Sequence, residues 1–147
     1  AGVEDVMREK GVPASRLTVL HGDYSIESVY QLILGLIAPA KTPDQLPFNA
    51  IFASCDLMAV GALRALKARG FRVPQDVEII GFDDIELARM VEPPLSTVSQ
   101  PAMKMGALSA ELLLRMINGS LPRPKTRIMK PTLVLRGTTR TVYEESV

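Results

Sequence analysis

Residues 49–84 read NAIFASCDLMAVGALRALKARGFRVPQDVEIIGFDD, and the change of period along that stretch decides the fold. Ala50–Ala53 is a short apolar run between Asn49 and Ser54, as expected of a buried strand. From Leu57 to Arg69 the pattern is helical and stops at Gly70. Its charges (Arg64, Lys67 and Arg69) gather near the C-terminal end, where they complement the helix dipole. Val77–Gly81 is the next strand. Strand, covering helix and strand make a parallel unit. Almost everything else on the helix is apolar, whereas a helix covering one sheet face should carry a wider polar stripe. It is therefore expected to pack twice, against its own sheet and against a second subunit. Burial wholly inside one chain is the alternative.

The same alternation extends in both directions. Val3, Val6, Met7 and Lys10 share one helical face that ends at Gly11 and Pro13. Leu17–Leu20 (LTVL) is a β-rich run, expected to be a strand, which ends in HGDYS. Val29, Leu32, Ile33 and Leu36 then recur at helical spacing, with Asp23 or Ser25 available as a cap. A loop with three prolines, residues 38–49, leads into the quoted stretch. Beyond it, Ser96–Val98 follows Pro93 and Pro94 as a strand. A helix from Pro101 to Asn118 carries a polar stripe of Lys104, Glu111, Arg115 and Asn118. Residues 126–139 close the pattern as a strand interrupted by Pro131, hence at an edge or bent. The fold class is α/β, a parallel sheet flanked by helices.

With 147 residues, 47% of them hydrophobic, the chain suits one domain or a little more. The longest apolar run, near Leu32–Ala40, is broken by Gly35 and Pro39 and is too short to span a bilayer, so no membrane partner is expected. A net charge of +1 creates no general field for nucleic acid. The locally basic segment 121–130 has no interleaved aromatics and reads as a solvated loop. A single cysteine forbids an intrachain disulfide and suits a reducing, cytoplasmic setting. One His and one Cys cannot build a closed zinc site from those residue types, and no cofactor is called for. The opening AGVEDVMREKG reads as the latter part of a helix, which suggests a piece of a longer protein.

In doubly covered parallel sheets, ligands sit outside the carboxyl ends of the strands. Those ends here read His21-Gly22-Asp23-Tyr24, Ser54-Cys55-Asp56, Phe82-Asp83-Asp84 and Ser99-Gln100. Four polar clusters, two with an aromatic, suggest a concave site whose carboxylates grip hydroxyls; turn and cap chemistry alone is the plainer alternative. An enzymatic reading would pair Cys55, before a helix, with His21. Against it, Asp56 adjoins the thiol, and the glycine-flanked turn that exposes a nucleophile is absent. Adjacent Asp83 and Asp84 point to opposite sides, which is poor for flanking one glycosidic bond, so one is expected to face the cleft and the other to pair structurally. No glycine-rich phosphate loop is present. Asp56 also reads as a helix N-cap.

The run 49–119, above all RVPQDVEIIGFDD (72–84) and PPLSTVSQP (93–101), resembles the effector-binding region of LacI/GalR-family transcriptional regulators, and PTLVLRGTT (131–139) is similar to that family's closing strand. The resemblance implies one lobe of a two-lobed, periplasmic-binding-protein-like fold that closes over a sugar-like or nucleobase-like effector. It implies residues 1–98 as the C-terminal effector-binding lobe and 99–120 as a crossover and helix packing on an N-terminal lobe. Residues 121–147 would be the return strand and tail, with the N-terminal lobe and the DNA-reading domain before Ala1. Tyr24 falls where the family often stacks an aromatic on the ligand, and Phe52 offers another wall. Asp83 matches the carboxylate that binds effector hydroxyls, and Gln100 lies at the crossover. Cys55 stands where many members carry asparagine. A thiol cannot replace an amide's paired donor and acceptor, so Ser54 with a water would serve instead, or the ligand differs.

The resemblance also implies a homodimer through Leu57, Val60, Leu63, Arg64, Leu87, Met90 and Val91, and operator DNA held by the N-terminal domain. A charge at Leu63 is then expected to weaken association. Without the other lobe, the apolar side of the 101–118 helix (Met105, Leu108, Leu112 and Met116) needs a cover, from folding back or from a neighbouring chain. An exported sugar-binding protein of the same fold and a Cys55-dependent hydrolase are the competing readings.

Overall fold

A computed structural model describes residues 2–120 and 126–140. In chain order the elements are α1 (Gly2–Glu9), α2 (Ile26–Leu36), β1 (Ala50–Phe52), α3 (Asp56–Ala68), β2 (Glu78–Asp83), α4 (Leu87–Met90), β3 (Ser96–Ser99), α5 (Ala102–Ile117) and β4 (Thr132–Val134). Short 3-10 turns lie at Ala14–Arg16 and Pro43–Gln45. The basic segment read at 121–130 and the tail lie partly outside the described residues, at 121–125 and 141–147.

The sheet order is β1-β2-β3-β4. The first three strands are parallel, with Phe52 level with Ile80 and Asp83 level with Ser99. β4 runs antiparallel to β3 at the edge and starts directly after Pro131, whose missing N–H cannot join a ladder. Residues after β4 return to the sheet. Thr138 donates its hydroxyl to the Ile79 carbonyl at 2.7 Å and accepts from the Ser96 amide at 2.8 Å, so it ties β2 to β3.

Helix α2 begins as its sequence dictates. The Ser25 hydroxyl accepts from the Ser28 amide at 3.1 Å, and Asp23 in turn accepts from the Ser25 amide. Its buried face, Val29 and Ile33, lies against α3. Gly61 permits the approach: a Cβ there would stand 2.5 Å from the Ile26 carbonyl oxygen. The core continues through Ile37, Leu66, Val77, Ile79 and Leu95, all fully buried.

Three expectations are corrected. Residues 17–20 form no strand, because no described strand lies beside them to accept their hydrogen bonds, and Val19 and Leu20 remain exposed. The second cover of α3 comes largely from α2 of the same chain, so the apolar periphery of this helix is mostly explained within one protomer. Val60 and Leu63 belong to that core, Leu63 being only 2% exposed, while Leu57 and Arg64 stay at the surface. Asp56 does not cap α3. The N-cap position is Cys55, which makes no side-chain cap bond, and Asp56 is the first helical residue with its carboxylate turned into the core.

Helix α5 buries no residue. Leu108 and Leu112 are half-covered and face a hollow that Arg127, Met129 and Pro131 also line. Met103, Leu113, Leu114, Met116 and Ile117 are exposed.

Candidate functional site

The parallel register carries the ends of β1, β2 and β3 to one edge of the sheet. β1 is extended past Phe52 by the Ala53 amide, which donates to the Ile80 carbonyl at 2.9 Å. Ser54 and Cys55 therefore come next on the rim that Asp83, Ser99 and Gln100 complete. The loop that leads to Tyr24 passes close to the flanking helices, since Gly22 lies against Met58 and Val29. Ser54 donates its hydroxyl to the Met58 sulfur at 3.3 Å, closing the link between that loop and the start of α3. Tyr24 and Phe52 are largely exposed, at 64% and 54%, and lie outside the core. The Cys55 thiol is buried.

Asp83 and Asp84 divide their tasks. Asp83 is exposed and accepts from Gln100 Nε2 at 2.7 Å, so two residues named from sequence meet directly. Asp84 is turned inward and pairs with Arg136 at 2.5 Å and with Arg89 at 3.3 Å. Burial pushes the Asp84 carboxyl up, but hydrogen bonding and charge from Arg136, helped by Ser99 and Arg89, outweigh it and hold the group below its ordinary range. Both residues have positive φ, 108° for Asp83 and 57° for Asp84, and Tyr24 has 63°. Non-glycine residues in such regions cost about 1–3 kcal/mol each and persist only where the surroundings enforce them. Asp83 is the one of the three at the carboxyl ends of the paired strands.

What enforces the rim is a buried carboxylate. Asp56, 1% exposed, accepts from the Thr97 hydroxyl at 2.6 Å and from the Ile85 amide at 2.9 Å. It fastens the start of α3 to β3 and to the turn after Asp83. Sequence reading missed Thr97, Arg136 and this role of Asp56.

Two hollows adjoin these features. One of about 350 Å³ lies between Phe82, Gln100 and the inner face of α5 (Met105, Leu108 and Leu112), with Arg127 on its border. Gln100 thus borders a hollow and touches Asp83; Tyr24, Ser54 and Cys55 do not line it. The other is a groove along α3 and α4, with Tyr30, Val60, Leu63, Leu87 and Val91 on its walls and the Arg64 guanidinium 5.1 Å from the Tyr30 ring centre. Met90 stands beside it, 73% exposed. Among the described residues no cluster of three or more His, Cys, Asp or Glu could hold a metal ion, and no helix is long and apolar enough to cross a membrane.

The sequence pattern of the periplasmic binding protein-like domain matches residues 1–139. The chain belongs to that family. Among the relatives of this periplasmic binding protein-like chain is the ribose operon repressor of Haemophilus influenzae, 35% identical over 92% of the chain and 39% of the repressor. The solved complex of the transcriptional regulator CelR with cellobiose superposes with a TM-score of 0.81 at 34% identity, over 93% of this chain and 40% of that one. A LacI family regulator from Enterococcus faecium with bound ribose gives 0.77 at 26% identity, over 97% and 51%. The chain spans about two-fifths of the length of the repressors it matches. These relatives are transcriptional repressors and regulators rather than enzymes. They lend the hydrolase reading of Cys55 no support.

Proposed function

We propose that this chain is the effector-sensing and dimerising part of a LacI/GalR-type transcriptional regulator. In this reading residues 1–98 are the C-terminal lobe and 99–120 cross to a helix that packs on a second lobe. Residues 121–147 return and end the lobe. The observation that carries the proposal is the Asp83 carboxylate, exposed at the common end of three parallel strands and already engaged by the Gln100 amide. An ionised carboxylate accepts two hydroxyls at once, which suits the vicinal hydroxyls of a sugar. Relatives solved with cellobiose and ribose make sugars the first class to try. Tyr24 and Phe52 would wall the ligand, with Ser54 and Cys55 between them. A ligand that prefers one arrangement of the lobes shifts a dimer between states of different operator affinity by no more than its own differential affinity. Operator DNA would be read by an N-terminal domain of the parent protein.

The test is thermal melting of the parent protein with ribose, cellobiose, lactose and purine nucleosides. At a hundredfold excess over Kd the binding compound should stabilise by about 2.7 kcal/mol. Asp83→Ala should abolish the shift; a compound that stabilises this variant equally would place the pocket elsewhere.

We propose the groove along α3 and α4 as the dimer face. Because Val60 and Leu63 sit within the core, a charge at Leu63 would disrupt the protomer before it reported on association. Met90→Glu is the cleaner probe, since its side chain is exposed. It should weaken association at least about tenfold, near 1.4 kcal/mol. Sedimentation of the parent protein over a micromolar series measures this, and an unchanged mass distribution would remove Met90 from the interface.

A further inference from the structure

We propose that Arg136 is a positioning residue for Asp83: from the segment after β4 it fastens the left-handed Asp83–Asp84 turn and so sets the aim of the Asp83 carboxylate across the rim. The inference rests on the effector-site reading above and adds a residue that lies outside the site itself.

Asp83 is the last residue of β2 and is level with Ser99; beyond it the ladder with β3 ends. The backbone there turns through φ 108° and then 57°, with no glycine to ease it. Side chains must therefore hold the turn. Asp56 holds its far side through the Ile85 amide. Arg136 holds its middle, donating from Nη2 to Asp84 Oδ1 at 2.5 Å.

Arg136 is itself fixed at both ends. Its Nη1 donates to the Leu95 carbonyl at 2.7 Å, and its backbone amide donates to the Ser96 hydroxyl at 2.7 Å. That hydroxyl also bonds Thr139 at 2.7 Å. The side chains of Arg136 and Asp84 are only 15% and 9% exposed. A planar guanidinium pinned on one arm presents its other arm in one direction, which a flexible ammonium would not do. Arg89, the other partner of Asp84, is 66% exposed and longer at 3.3 Å, so it cannot replace that anchor. With Arg136 removed, the turn is free to relax toward ordinary φ. That swings the Asp83 side chain away from Gln100.

The experiment uses isotope-labelled chain carrying Arg136→Met, Arg136→Lys or Asp84→Asn. In R136M the Asp83 and Asp84 backbone signals should lose their left-handed shifts, and the Gln100 side-chain amide should move to the position of a free amide. Signals from α2 and β1 should stay. D84N, whose side-chain carbonyl can still accept from Arg136, should show this pattern in weaker form, and R136K should keep the turn in part. If R136M does not fold, D84N carries the expectation in its weaker form. In the parent protein, R136M should weaken binding of ribose or cellobiose, whichever the unaltered protein binds, about tenfold. That loss should vanish in a D83N background, whereas a general structural defect would add to it. Unchanged Asp83 and Gln100 signals in both R136M and D84N, or strict additivity with D83N, would overturn the proposal. Failure of ribose, cellobiose, lactose and the purine nucleosides alike to bind the unaltered protein would count against the effector reading instead, while the spectra still decide what Arg136 holds.

Discussion

Asp56→Ala should destabilise the chain by about 3–6 kcal/mol, from two hydrogen bonds to a charged acceptor at roughly 1.5–3 kcal/mol apiece. The carboxylate is 1% exposed, and its two oxygens take one donor each, Thr97 Oγ1 and the Ile85 amide. Alanine leaves the Thr97 hydroxyl buried without a partner and the part-buried Ile85 amide unpaired. The Thr97 side chain is itself fully buried, so water cannot reach it without opening the fold. Asp56→Asn should cost less than half as much. The asparagine carbonyl can accept from the Ile85 amide while its NH2 donates to the Thr97 hydroxyl, which can rotate to accept. Urea unfolding of the two variants separates the cases. A loss below about 1 kcal/mol for D56A would mean that the carboxylate is replaceable by solvent. Equal losses for D56A and D56N would mean that its charge, rather than its geometry, holds the rim.

That network also marks the limit of what the sequence made legible. The strand, helix and strand of residues 49–84 were readable because their information is local: a change from short apolar runs to a helical repeat, with Gly70 as the stop. Pro131 likewise announced an edge, and β4 begins one residue later. The splitting of Asp83 from Asp84 was expected from strand alternation; the structure shows one exposed and one paired, but through a left-handed turn at the end of β2. Asp56 was misread because its position before a helix suits a cap, while its real partners lie 29 and 41 residues away. Arg136 reaches Asp84 across 52 residues and carried no local mark at all. Residues 17–20 had the composition of a strand but lacked a neighbour, and a strand is defined by its pairing. The apolar circumference of α3 was legible as double packing; that α2 supplies most of the second cover was not, because periodicity tells how many faces are buried and not by what.

Gly81→Ala should cost about 3 kcal/mol, at the upper end for added volume in a packed core. Gly81 lies in the middle of β2, level with Thr97, and is buried. A Cβ at this position would fall 2.2 Å from Asp56 Oδ1, 3.0 Å from Leu95 Cδ2 and 3.3 Å from the Asp56 Cα. Neither flexible reach nor rotation relieves that crowding, because Oδ1 is the oxygen already held by Thr97 at 2.6 Å and the Cα is backbone at the start of α3. The methyl group must therefore break the Thr97 bond or push α3 away from the sheet. Either movement displaces Cys55 on one side and the turn carrying Asp83 on the other. The two variants should then be strongly coupled. With Asp56 cut back to alanine, the nearest obstacle to the Gly81 methyl is gone, so D56A/G81A should lose clearly less than the sum of the single changes. Urea midpoints for the four proteins of the cycle give the coupling directly. Additive losses would show that glycine is needed at 81 for some reason other than room for the Asp56 carboxylate.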